Sequence, residues 1–70
     1  MTNEQFKAWR QKMGFTQQQA ADALGVNNRS VVNYERGVRY DDGRPVIIPR
    51  PIALACAAIK AGLAPEGEGQ

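Results

Sequence analysis

Seventy residues, 43% hydrophobic and 23% charged with a net charge of +2, describe one small soluble domain without the room that most enzymes need. The absence of histidine and the single cysteine, Cys56, exclude an internal disulfide, a Cys/His zinc cluster and histidine-assisted nucleophilic catalysis, so no cofactor or metal is expected and a reducing cytoplasm is the expected compartment. The longest apolar stretch, from Pro51 to Ile59, is far shorter than the ~20 residues of a membrane span, and Glu4 precedes every basic residue, unlike a signal peptide.

Glycines and capping residues divide the chain into four predicted helices. Thr2 followed by Gln5 reads as a capping box, after which Phe6, Trp9 and Met13 recur at helical spacing and Gly14 closes the helix. Thr16 and Gln19 repeat the capping box for a helix over Gln17 to Leu24, with Ala20, Ala21 and Leu24 on one face and Gly25 as its stop. Asn27 caps a third helix running to Arg36, ended by Gly37. In it Val31, Tyr34 and Glu35 share one side while Asn28, Arg29, Val32, Asn33 and Arg36 share the other. Between Val38 and Ile48 the residues allow a small hairpin about Asp42-Gly43, which Pro45 restricts to edge pairing. Pro49 or Pro51 opens a fourth helix that runs to Lys60 or Ala61 before Gly62.

Charge is unevenly spread. Eight of the nine basic residues fall between Lys7 and Arg50, against four acids, while the tail from Ala64 to Gln70 holds Glu66 and Glu68 among glycine and proline and is expected to be disordered. Residues 1–63 are therefore expected to form the domain and 64–70 a tail. A basic body suits a polyanionic partner, although a solvated surface explains the same arithmetic.

The segment from Thr16 to Gly37 concentrates the functional signal. Two short helices joined by a tight turn cross steeply, which needs a small residue at the crossing and a turn residue tolerant of positive φ; Ala21 and Gly25 meet these needs. Val26, Val31 and Tyr34 then pin the third helix to the second and leave its N-terminal residues projecting. The joint pattern of Gln17, Ala21, Gly25, Val31, Tyr34, Glu35 and Gly37 resembles the helix-turn-helix of the phage repressor and Cro type, XRE-like regulators, over roughly residues 2 to 37.

The resemblance implies an all-α, four-helix, lambda-repressor-like domain that binds double-stranded DNA as a transcriptional repressor or related regulator. Its third helix would lie in the major groove. Asn28 and Asn33 would then pair with adenine, Arg29 with guanine, and Val32 with a thymine methyl. Thr16, Gln17, Asn27, Ser30, Arg36, Arg39 and Arg44 would face the phosphate backbone, with Thr16 and Gln17 where helix N–H groups point at a phosphate. In this family an arginine of the first helix pairs with the glutamate closing the third, positions that fall on Arg10 and Glu35. Ala20 stands where the family carries a large aliphatic, so Phe6, Trp9 and Phe15 are expected to fill that space. One helix, not two, follows the third.

Competing readings remain beside these. Trp9 and Tyr34 at helical spacing read as core, Cys56 as a packed small hydrophobe, Arg39 and Arg44 equally as solvated loop charges, and Arg50 as a solvated charge before a phosphate contact. No two carboxylates are spaced for acid/base chemistry, so an enzyme is not expected. An antitoxin using the same DNA-binding unit is one alternative function; a protein-interaction module such as a phage-encoded inhibitor is another. The fourth helix is apolar on every side, with Ile52, Cys56 and Ile59 in one stripe and Leu54, Ala58 and Ala61 in another. One stripe is expected to meet the core and the other its copy in a homodimer, with Leu54, Ala58 and Ala61 as the expected contact.

Overall fold

The computed structural model describes residues 1–39 and 41–67. Tyr40 of the loop and residues 68–70 of the expected disordered tail lie outside the described residues, and residues 64–67 are exposed. Four helices follow in order: α1 (Asn3–Lys12), α2 (Gln17–Leu24), α3 (Asn28–Arg36) and α4 (Arg50–Lys60).

Local chemistry sets their ends. Thr2 and Thr16 each accept a hydrogen bond from the backbone N–H three residues on, and the side-chain oxygens of Gln5 and Gln19 accept one from the cap N–H, completing both capping boxes. Asn27 Oδ1 caps α3 by accepting from Ser30 N–H at 2.8 Å. Helix α4 has no side-chain cap; Pro49 occupies the N-cap and Pro51 the first turn, where a missing N–H leaves no bond unmade.

The core is small and dense. Phe6, Ala20, Ala21 and Val31 are fully buried, joined by Trp9, Cys56 and the loop residue Ile48. Ala20 and Ala21 are the buried residues of α2, in the same cluster as the rings of Phe6 and Trp9. Phe6 packs against Trp9 and, edge-on, against Tyr34, with centroids 5.5 and 5.4 Å apart, and Phe15 meets Trp9 edge-on at 5.9 Å. Ile52 and Ile59 of α4 pack on this cluster beside the buried Cys56, whereas Leu54 is 58% exposed. Trp9 Nε1 donates to the Cys56 carbonyl at 3.0 Å, tying α1 to α4.

The hairpin allowed by the 38–48 sequence is reduced to one antiparallel bridge, Val38 with Pro45, and no strand forms among the described residues. Arg39 N–H donates to Arg44 O and Val46 N–H to Gly37 O. Pro45 lacks the donor that would extend the ladder. Burial of Ile48 ties the far end of this loop to the core.

Candidate nucleic-acid interface

The geometry of the site begins at the turn between α2 and α3. Gly25 adopts φ +71° at a position where a Cβ would meet nothing within 4 Å, so glycine is required there by the left-handed backbone and not by crowding. Val26 N–H and Gly25 N–H close α2 onto Ala21 O and Asp22 O. The chain then enters α3 within two residues.

On the outer face of α3, Asn28, Arg29, Val32 and Asn33 line one shallow concavity of about 240 Å³. Two amides, a guanidinium and a methyl-bearing side chain thus share a single surface, the set needed for adenine, guanine and thymine edges. Asn33 differs from the rest: its Oδ1 is buried with no hydrogen-bond partner among the described residues. A two-bond contact with adenine from Asn33 therefore requires a side-chain rotation that exposes this oxygen.

The residues expected to face phosphates fall at the ends of α2 and α3 and in the loop that follows. At the start of α2, Thr16 N–H is taken by Gln19 Oε1 at 2.9 Å, and Thr16 Oγ1 accepts from Gln19 N–H. The outward N–H groups are then those of Gln17 and Gln18, which have no preceding turn to bond to. Ser30 Oγ donates to Asn27 Oδ1 at 2.9 Å, so both side chains serve the α3 cap. Arg36 is exposed in the last turn of α3, and Arg50 in the first turn of α4. Arg39 and Arg44 are not isolated loop charges, because Asp42 lies 3.8 and 3.5 Å from their guanidinium groups and also accepts from Arg44 N–H.

Two tethers hold α3 in place from behind. Arg10 donates to both carboxylate oxygens of Glu35, through Nε to Oε2 and through Nη2 to Oε1, while its Nη1 donates to Phe15 O at 2.9 Å. These side chains are only 15% and 7% exposed, and the two-pronged geometry fixes direction as well as distance. The second tether is Asn3, whose Nδ2 donates to Tyr34 O at 2.7 Å and to Val46 O at 3.3 Å. Gly37, at φ +79°, lies so close that a Cβ there would be 3.0 Å from Asn3 Oδ1. The sequence does not announce the role of Asn3 or the arginine partners of Asp41 and Asp42; the available signal for Asn3 is a short amide at a helix start that the capping box does not use.

Elsewhere, Leu54 and Ala61 are exposed and Ala58 half-buried on the outer side of α4. Burial pushes the Cys56 thiol up to about 11, against the smaller opposing effect of a backbone hydrogen bond. Among the described residues no three side chains are grouped to hold a metal ion, and no helix is long and apolar enough to cross a membrane.

The helix-turn-helix family model matches residues 6–40, half of the chain, from the middle of α1 through α3 into the loop. No curated protein and no solved structure matches the chain.

Proposed function

The chain belongs to the XRE-type, lambda repressor-like helix-turn-helix family of DNA-binding regulators, and from that premise we propose that it is a sequence-specific transcriptional repressor reading the major groove with α3. The observation that carries the reading is the concave amide and guanidinium face formed by Asn28, Arg29, Val32 and Asn33. Arg29 and Asn28 are the proposed base readers, Val32 the thymine contact, and Asn33 a reader after rotation. Thr16, Gln17, Asn27, Ser30, Arg36, Arg39 and Arg44 are the proposed backbone contacts, residues 1–63 the folded unit and 64–70 its tail.

Homodimerisation through Leu54, Ala58 and Ala61 belongs to the same proposal. A few base contacts from one helix discriminate weakly, whereas a two-fold dimer reads two half-sites about 34 Å apart, so the operator is expected to be an inverted repeat.

Selection of bound sequences from a random duplex pool, followed by titration against the selected and a scrambled duplex, tests the reading. Arg29→Ala is expected to weaken operator binding by about 1–3 kcal/mol and spare the scrambled duplex, because base contacts specify while phosphate contacts position. Gln17→Ala is expected to weaken both. No shift with any duplex at low salt overturns the proposal in favour of a protein-interaction module, and copurification of a second polypeptide favours an antitoxin.

A further inference from the structure

We infer that Asp41 is a specificity-determining residue that acts through Arg29, orienting its guanidinium on the outer face of α3; the inference rests on the reading of α3 as the base-reading helix. Between Arg29 and Gly37 the helix advances about 12 Å, yet by Asp41 the chain has doubled back far enough to place Asp41 Oδ1 3.8 Å from Arg29 Nη1. This return course is built into the loop. The Val38–Pro45 bridge, the bonds from Arg39 N–H to Arg44 O and from Gly43 N–H to Arg39 O, and the contact of Arg44 N–H with Asp42 fix the turn. Asp42 is engaged by Arg39 and Arg44, so Asp41 is the loop carboxylate that meets Arg29.

The chemistry follows from the donors of a guanidinium. A carboxylate at Nη1 leaves the edge formed by Nε and Nη2, two parallel donors suited to guanine O6 and N7. In water this pair contributes little, because both side chains are well exposed, at 70% and 64%. On DNA the same carboxylate acts in two ways. Its attraction biases the guanidinium toward one of the many orientations an unpaired arginine samples, and its charge beside the phosphates weakens sequence-independent binding. Both raise the ratio of specific to non-specific affinity.

The experiment compares wild type, Asp41→Asn and Asp41→Glu, each also in the Arg29→Ala background, by titration against a selected duplex and the same duplex with the Arg29-dependent guanine replaced. Asp41→Asn is expected to reduce the preference for that guanine about tenfold, within the range of one bidentate base contact, and to raise affinity for random duplex severalfold. Asp41→Glu is expected to restore most of the preference, and in the Arg29→Ala background Asp41→Asn is expected to leave base preference unchanged. Wild-type preference retained in Asp41→Asn, or an equal loss in the Arg29→Ala background, overturns the inference alone. A wild type with no sequence preference at all overturns the reading of α3 and this inference with it.

Discussion

Residues 2–37 and residues 38–63 differ in the balance of directional bonding and apolar burial that holds them. In the first region each helix starts on a side-chain cap, and α3 is tied by directional bonds from Arg10 to Glu35 and from Asn3 to Tyr34 O. In the second, α4 begins on a proline without a side-chain cap and adheres mainly through Ile52, Cys56 and Ile59, with one directional bond, from Trp9 Nε1 to the Cys56 carbonyl. Directional bonds define the angle of a helix, whereas apolar burial defines mainly its proximity. The proposed role of α3, presenting side chains to base edges, needs the former; the proposed role of α4, joining two copies of the chain, can rely on the latter.

The comparison breaks most visibly at the ion pair. Glu35→Gln leaves the Arg10 guanidinium largely buried without its counter-charge, and stability is expected to fall by about 3 kcal/mol or more, a large share of what so small a domain holds. A thermal melt unchanged from wild type would remove the pair as the tether of α3. Gly37→Ala comes next: the left-handed backbone alone disfavours alanine by roughly 1–2 kcal/mol, and the approach of the new Cβ to Asn3 adds to it. Measured in an Asn3→Ala background, where that crowding is gone, the same substitution is expected to be less destabilising; equal losses in both backgrounds would show that Asn3 does not crowd position 37.

Smaller effects sharpen the second region. The folded Cys56 thiol keeps its proton up to about 11, whereas the unfolded chain releases it at the ordinary value of 9.0. The unfolded state is therefore favoured progressively as pH rises through that interval. The stability advantage of wild type over Cys56→Ala, read from urea unfolding, should shrink from pH 8 to pH 11, and a constant advantage would contradict a desolvated thiol. Leu54→Glu is expected to change stability by no more than about 0.5 kcal/mol, since the side chain is exposed. It should nonetheless convert a sedimenting dimer to a monomer at tens of micromolar. A wild type already monomeric there would remove α4 as the dimer contact.

What was legible in the sequence was what local chemistry determines. Thr2 with Gln5, Thr16 with Gln19, and Asn27 announce helix starts because each cap is completed within four residues. Gly25 and Gly37 announce stops because their backbone angles are local as well. The outward grouping of Asn28, Arg29, Val32 and Asn33 follows from helical periodicity. Contacts made by the loop were not legible. Ile48 sits among prolines with no period to mark it as core, yet it is buried. Asp41 reaches Arg29 only because the loop doubles back, and Asn3 meets Val46 across forty-three positions of chain. The inward turn of Asn33 Oδ1 is a rotamer choice, which no spacing encodes.

The bond from Trp9 Nε1 to the Cys56 carbonyl also gives the molecule an internal optical reporter. The chain has one tryptophan; its ring is 7% exposed, edge-on to Phe15, and its indole N–H is engaged by α4. Emission from this ring therefore registers whether α4 is docked, while far-ultraviolet ellipticity registers helix content across the chain. If the two halves of the molecule come apart separately on heating, a red shift in fluorescence will precede the loss of ellipticity; if they unfold as one unit, the two curves will superimpose.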